Sequence, residues 1–118
     1  MKENVVKDKS FAFALRIIKM YKFLVEHKEY VLSKQVLRSG TSIGANIEEA
    51  NSAQSKKDFI AKISISLKEA KETHYWLRLL HGSNYINELM FNSILTDCEE
   101  IIALLTTIIK SSRKNINE

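Results

Sequence analysis

The sequence predicts an all-α protein, folded as an antiparallel up-down-up-down four-helix bundle in one domain of 118 residues. Its composition favours uninterrupted helices, because the chain has no proline, only three glycines and 45% hydrophobic residues. Apolar residues recur three and four positions apart along most of the chain, which is the period of an amphipathic helix. The polar stretches between these patterns are short, and short loops join antiparallel neighbours in a bundle.

Changes in polarity set the ends of four predicted helices. The predicted ranges are 10–26, 32–52, 56–81 and 87–110. Residues 1–9 are expected to form a frayed polar lead-in, and residues 111–118 a polar tail. The core-facing stripe of the first helix is predicted to contain Ala14, Ile17, Ile18, Tyr21, Leu24 and Val25.

Side chains that cap helices mark several of these ends. Ser33 is a candidate cap for the second helix. Ser55, with Asp58 three residues later, has the form of a capping box at the start of the third helix, and Gly82 is its expected stop. Asn87 is expected to cap the fourth helix.

Two glycines inside the second helix indicate close packing of a neighbouring backbone. Gly40 and Gly44 both lie inside an apolar helical pattern that runs from Val36 to Ala50. Each glycine costs a helix about 1 kcal/mol relative to alanine, so we expect both to serve helix packing. A phosphate-binding loop is rejected, because no strand precedes the glycines and no Gly-Lys-Ser/Thr ending follows them.

The third and fourth helices carry more apolar residues than a small bundle needs. Those of the third helix cover most of its circumference and are Phe59, Ile63, Ile65, Leu67, Ala70, Trp76, Leu77, Leu79 and Leu80. The fourth helix has two adjacent rows: Ile94, Cys98, Ile101, Leu105 and Ile108, then Phe91, Leu95, Ile102 and Ile109. Because about three apolar positions in seven suffice for a bundle helix, the surplus predicts an interface between copies of the chain. A thicker monomer core is the alternative.

Charge is distributed by helix. The net charge of +4, from 18 basic and 14 acidic residues, is a weak indication of an anionic partner. Residues 1–28 carry seven basic and three acidic groups, and residues 55–82 carry six and three. Residues 29–54 carry two and three, and residues 83–118 carry three and five. Helices of opposite sign are therefore expected to pack side by side.

A narrow polar strip on the third helix is the candidate functional surface. Its nucleic-acid-binding candidates are Lys57, Lys68, Lys71, Tyr75 and Arg78. Cations on one exposed face can follow a phosphate backbone, and a tyrosine can stack on a base. A merely solvated helix face is the alternative.

Five further polar residues are interpreted as structural contacts: Arg38, Asn46, Glu49, Glu69 and Glu72. Arg38 and Glu49 lie three helical turns apart, so each needs a partner on another element. If the chain turns near Gln54, Arg38 falls level with the segment from Glu69 to Glu72.

No metal, cofactor, catalytic residue or small-molecule substrate is predicted. The three histidines show neither Glu-x-x-His nor His-Glu-x-x-His spacing. Cys98 lies in an apolar row, where thiols are usually inert. One cysteine, no secretory signal and no apolar run near the ~20 residues of a membrane span predict a cytoplasmic protein without membrane contact.

Three segments carry a resemblance to a known family. They are Arg38-Ser-Gly-Thr-Ser-Ile-Gly-Ala-Asn-Ile-Glu-Glu49, Ser55-Lys-Lys-Asp-Phe59 and Glu69-Ala-Lys-Glu72. The chain resembles the bacterial four helix bundle proteins, which include the proteins encoded in intervening sequences of 23S rRNA genes, also called S23 ribosomal proteins. It differs at Ala50, where many members have glycine, and at Glu69, where many have serine. The resemblance implies a four-helix bundle, often a pentameric ring, in a family that includes nucleic-acid-binding accessory proteins of retroelements.

The sequence thus predicts a non-enzymatic homo-oligomeric bundle that binds RNA or DNA non-specifically through its basic surface. The alternative is a protein-interaction scaffold with no nucleic-acid contact. A steep loss of nucleic-acid binding with added salt distinguishes the first from the second.

Overall fold

The computed structural model describes the backbone of residues 2–117 and the side chains of residues 4–115. Four helices make up this part of the chain: α1 (Lys2–Glu26), α2 (Leu32–Asn51), α3 (Lys56–Gly82) and α4 (Glu88–Asn117). The predicted all-α four-helix fold is confirmed. The bundle is elongated, with extents of 51 × 21 × 19 Å.

The helices stand at the corners of a square in chain order. Among the described residues, α1 and α3 each pack against α2 and α4, and neither diagonal pair is in contact. Neighbouring helices are antiparallel, because residues later in one helix contact residues earlier in the next. The hydroxyl of Ser66 donates to the carbonyl of Ile43, and that of Thr73 donates to the hydroxyl of Ser39, both at 2.8 Å. All neighbouring pairs show this order, so the topology is up-down-up-down.

Both terminal helices extend further than predicted. The lead-in at residues 1–9 and the tail at 111–118 were expected to be non-helical, whereas α1 begins at Lys2 and α4 reaches Asn117. Val6 is only 1% exposed and Ser112 only 8%, so residues of both extensions are buried in the folded bundle. These segments are too polar for periodicity to reveal them, and packing makes them helical. Met1 and Glu118 lie outside the described residues.

The buried stripe of α1 differs from the predicted one. The buried residues are Val6, Ser10, Phe13, Ile17, Met20 and Leu24. Only Ile17 and Leu24 belong to the predicted stripe, and Ile18 is 36% exposed. The prediction fails because α1 is apolar on two opposite faces, so the period alone does not identify the face that meets the core.

The first apolar row of α4 forms the core as its spacing indicates. Its members are all buried: Ile94, Cys98, Ile101, Leu105 and Ile108. Phe91, Leu95 and Ile102 from the second row pack against this core and are partly covered. The chain itself therefore covers much of the apolar surface that the sequence assigns to a subunit interface.

Two of the predicted caps are confirmed. The Ser55 hydroxyl accepts a hydrogen bond from the Asp58 backbone N–H at 3.0 Å, and the Asn87 side chain accepts one from Met90 at 2.8 Å. Gly82 is the last residue of α3, but the left-handed conformation after the helix is taken by Asn84, with φ of 68°. Asparagine tolerates this conformation better than most side chains.

Ser33 does not cap α2. It lies inside the first turn and is fully buried, and the N-cap position is held by Val31 without a side-chain hydrogen bond. The cap comes instead from Glu29, which precedes the helix. Its carboxylate accepts hydrogen bonds from the backbone N–H groups of Val31, Leu32 and Ser33 at 3.2, 3.1 and 2.5 Å.

Glu29 is only 6% exposed, so the helix terminus must stabilise its charge. Burial by itself raises the pKa of the Glu29 carboxyl, but hydrogen bonds from three backbone N–H groups outweigh burial and lower the pKa below 4.5. The positive end of the α2 dipole acts in the same direction. One carboxylate thus replaces the missing side-chain cap and fixes the turn between α1 and α2.

The two glycines of α2 lie against α1, as packing residues should. A Cβ added at Gly40 would lie 2.8 Å from Cγ1 of Ile17 and 2.9 Å from its Cγ2. Ile17 is fully buried and β-branched, so it has little freedom to move away. At Gly44 the nearest atom is the hydroxyl oxygen of Ser10, at 3.3 Å. The restriction is therefore stricter at Gly40.

Replacement of Glu29 by glutamine is expected to lower the free energy of unfolding by about 1–2 kcal/mol at pH 7, because the terminus of α2 loses a charged acceptor. The folded-state pKa is depressed, so this stabilisation is present above the unfolded pKa and is lost as the pH falls below 4.5. Urea unfolding of both proteins between pH 7 and pH 3 should show a difference that shrinks with acid. A difference that does not change with pH would contradict this role of Glu29.

Gly40→Ala is expected to cost about 1–3 kcal/mol through overpacking against Ile17, although alanine is the better helix former. Gly44→Ala is the matched control and should change stability by less than about 1 kcal/mol, because its Cβ meets only a serine side chain. Urea unfolding of both variants measures the difference. Equal stability of Gly40→Ala and the parent would show that α1 and α2 can separate freely.

Candidate nucleic-acid interface

The predicted basic strip lies on the outward face of α3. Its four cations are all exposed: Lys57, Lys68, Lys71 and Arg78. Tyr75 lies among them and is 47% exposed. The opposite face of α3 packs into the core with Ile63, Ala70 and Leu77. Burial of that face directs the strip towards solvent.

The cations of the strip have no acidic partner. Among the described side chains, none of the four lies within 4.0 Å of a carboxylate oxygen. Two acids of the same helix, Glu69 and Glu72, point towards α2 and contact Arg38 there. The carboxylates of Glu69 and Glu72 are thus directed towards α2 and not towards the cations of the strip.

Arg38 joins the predicted polar residues of α2 and α3 into one cluster. Its guanidinium donates to Glu69 at 3.2 Å and also to Glu72. Glu72 further accepts from the indole N–H of Trp76 at 3.2 Å. Every member has a partner inside the chain, so this cluster links two helices.

The other two predicted polar contacts are separate from that cluster. Glu49 pairs with Lys62 of α3 at 3.3 Å. The amide of Asn46 donates to the carbonyl of Ser42 at 2.9 Å, which is a contact within α2. Neither contact brings reactive groups together.

The remaining ion pairs follow the alternation of charge that the sequence indicates. In each pair the cation or histidine is on α1 or α3 and the acid is on α2 or α4; the pairs are Lys7–Glu48, Lys9–Glu100, Arg16–Asp97, Lys62–Glu49 and His74–Glu99. Exposed pairs of this kind add little stability. The lysine and arginine members of these pairs compensate the charge of four acids on α2 and α4, whereas Glu99, whose partner is a histidine, lines the same groove as Lys71 and Arg78 of the strip.

Tyr75 is positioned by Arg78. The guanidinium carbon of Arg78 lies 5.6 Å from the centroid of the tyrosine ring, at cation–π distance. The contact holds a cation beside an exposed aromatic ring. A base that stacks on Tyr75 would therefore have a phosphate partner nearby.

A groove of about 490 Å³ separates the strip from α4. Lys71, His74 and Arg78 form its α3 side, and Ile102 and Ala103 lie on its α4 side. The ring of His74 contacts Glu99 at 3.2 Å across the groove. Sequence spacing gave no indication of this pair, because the two residues come from helices whose register is fixed only by packing.

Metal-ligating side chains do not cluster in the described part of the chain. No group of three or more His, Cys, Asp and Glu side chains comes together there with metal-binding geometry. Burial, with smaller contributions from Glu99 and Asp97, raises the pKa of the Cys98 thiol to about 12. The thiol donates weakly to the carbonyl of Ala70 at 3.4 Å and is a core residue.

The fold defines a class: a small antiparallel four-helix bundle, here with a row of exposed cations on α3. The sequence profile of the 23S rRNA-intervening sequence proteins matches residues 2–107, and the chain belongs to this family. The chain is also similar to a crystal structure from Bacteroides thetaiotaomicron VPI-5482, a protein of unknown function from the S23 ribosomal protein family. The two share 62% identity and a TM-score of 0.92, over 93% of this chain and 99% of that chain. A search of curated proteins found no match.

Within residues 2–117, none of the helices combines the length and the apolar character that crossing a membrane requires.

Proposed function

We propose that this protein is a non-enzymatic, self-associating bundle that binds RNA or DNA without sequence specificity through the exposed face of α3. The observation that carries the proposal is the row of unpaired cations Lys57, Lys68, Lys71 and Arg78, which surrounds Tyr75. Two acids of the same helix, Glu69 and Glu72, both contact Arg38 on the side facing α2, so one of their two negative charges is compensated there.

The dimensions of the strip suit a nucleic-acid backbone. From Lys57 to Arg78 the helix rises about 30 Å, comparable to roughly nine base pairs of B-form DNA. Lysine side chains are flexible point charges that attract phosphate without reading base edges. Binding is therefore expected to depend strongly on salt and weakly on sequence.

The family description refers to the intervening sequences of 23S rRNA genes and names no ligand, so RNA and DNA are both candidates. The five-subunit ring implied by the family resemblance, and the cytoplasmic location indicated by the single cysteine, stay predictions. A symmetric assembly would repeat the strip around its surface and multiply a weak individual affinity.

Substitution of Lys68, Lys71 and Arg78 by glutamine is expected to weaken binding to mixed-sequence RNA by about tenfold or more at low salt, because phosphate contacts are lost. The slope of log K against log salt should fall by up to about three, since fewer counterions are released. Fluorescence anisotropy over a salt series measures both quantities. Helicity and mass should not change, because exposed charges contribute little to folding.

The matched control replaces Lys19, Lys28 and Lys34 by glutamine, which removes the same net charge from exposed positions outside α3. This control should retain most of the affinity and the salt dependence. Equal losses in both triple variants would attribute binding to net charge and not to the strip. A parent protein that binds no RNA or DNA at low salt would overturn the proposal and favour the protein-interaction scaffold.

A further inference from the structure

The groove between α3 and α4 differs in its chemistry from the strip that borders it. Lys71 and Arg78 belong to both surfaces, because they are members of the strip and also line the groove from α3. The α4 side is apolar at Ile102 and Ala103 and carries the carboxylate of Glu99. The groove volume of about 490 Å³ lies within the range of roughly 300–1,000 Å³ that small-molecule sites occupy. It is therefore large enough to hold a planar group of nucleobase size.

The carboxylate of Glu99 makes the groove a poor site for phosphate. Its Oε2 lies 3.2 Å from Nε2 of His74, and the carboxylate has no other hydrogen bond to the described residues. The Glu99 side chain is 59% exposed, so its second oxygen is accessible to a ligand. A carboxylate repels phosphate but accepts hydrogen bonds from N–H groups. A ligand that suits the groove therefore places N–H donors inside it and keeps its phosphates outside, on the cations.

Unpaired nucleotides meet this requirement, and paired nucleotides do not. Every base of RNA and DNA has at least one N–H donor on its Watson–Crick edge, and in a duplex that edge is occupied by the opposite base. The flat face of a base also packs well against apolar side chains such as Ile102. A single acceptor facing a donor that all bases share selects unpaired strands without selecting a particular base.

Tyr75 offers a second surface for a base on the other side of the same cations. At about 100° per residue, His74 and Tyr75 fall on opposite sides of the line from Lys71 to Arg78. His74 lines the groove, so the tyrosine ring lies on the strip side, where it is 47% exposed. A strand whose phosphates follow Lys71 and Arg78 therefore has a base-sized groove on one side and an aromatic ring on the other.

We infer that the α3–α4 groove is a pocket for one unpaired base, with phosphates held by Lys71 and Arg78 and with Glu99 accepting a hydrogen bond from the base. The inference rests on the proposed function and deepens it, because it identifies the ligand as single-stranded nucleic acid. A strip that contacts phosphates alone favours a duplex, since a duplex has the higher charge density. A pocket for an unpaired base reverses this order of affinities.

Fluorescence anisotropy with a labelled mixed-sequence RNA strand, free or annealed to its complement, measures the preference at equal salt. The parent protein should bind the single strand about fivefold or more tightly than the duplex. Ala103→Leu fills the groove without changing charge and should weaken single-strand binding by about fivefold or more, with duplex binding unchanged. Ala45→Leu is the matched control, because Ala45 is also exposed but lines the α1–α2 groove on the opposite side of the bundle.

Glu99→Ala tests the acceptor, because charge and hydrogen bonding affect the two RNA forms differently. Loss of a negative charge strengthens the binding of both forms, whereas loss of the acceptor weakens the binding of the single strand alone. The ratio of single-strand to duplex affinity should therefore fall severalfold. Glu100→Ala removes the same charge from the α1 side of α4, where Glu100 contacts Lys9, and should leave the ratio unchanged.

Ultraviolet cross-linking of a single strand that contains 4-thiouridine locates the bound base directly. Mass spectrometry should identify cross-linked peptides of α4 around Ile102, because a strip that holds only phosphates places no base against α4. Ala103→Leu should remove these cross-links. Cross-links confined to α3 would overturn the base pocket.

The outcomes separate the failure of the pocket from the failure of the proposed function. A parent protein that binds the duplex as tightly as the single strand, with no effect of Ala103→Leu, would overturn the pocket and leave the strip as a phosphate-binding surface. A parent protein that binds neither RNA form at low salt would reject the proposed function itself.

Discussion

The close approach of α1 and α2 at Gly40 is the contact on which the rest of the bundle depends. With no side chain at this position, the backbone of α2 reaches Ile17 of α1. On the side of α2 that faces α3, the hydroxyls of Ser66 and Thr73 of α3 donate to the Ile43 carbonyl and the Ser39 hydroxyl of α2, both at 2.8 Å. Apolar contacts alone would tolerate a shift along the helix axis, whereas buried hydrogen bonds leave unsatisfied groups if the register slips.

That register decides which charges cancel and which do not. It brings acids of α2 and α4 next to cations of α1 and α3, and it brings Arg38 next to Glu69 and Glu72. The cations left over lie mostly on outward faces, with those of α3 forming one continuous strip. A modest net charge of +4 therefore includes a row of α3 cations that have no ion-pair partner among the described side chains.

The sequence predicted the structure correctly where a residue has a single structural role that its spacing reveals. Its spacing placed the α3 strip on an exposed face, its glycines indicated close packing, and Ser55 and Asn87 identified two helix starts. Sequence-based prediction failed where two different structures are compatible with the same pattern of residues. The two apolar faces of α1 satisfy the same period, and the cap of α2 comes from Glu29, which lies outside the helix and is buried only by the folded loop. The polar ends of α1 and α4 are helical because of tertiary contact, which no local pattern encodes.

The claim that α3 carries the nucleic-acid surface is tested most directly by lysine acetylation of the native protein, with and without mixed-sequence RNA at low salt, followed by mass spectrometry. RNA should protect Lys57, Lys68 and Lys71 severalfold. Lys28 and Lys34, which are also exposed but lie off α3, should react as in the free protein. Equal protection of all five lysines, or protection only outside α3, would contradict the assignment.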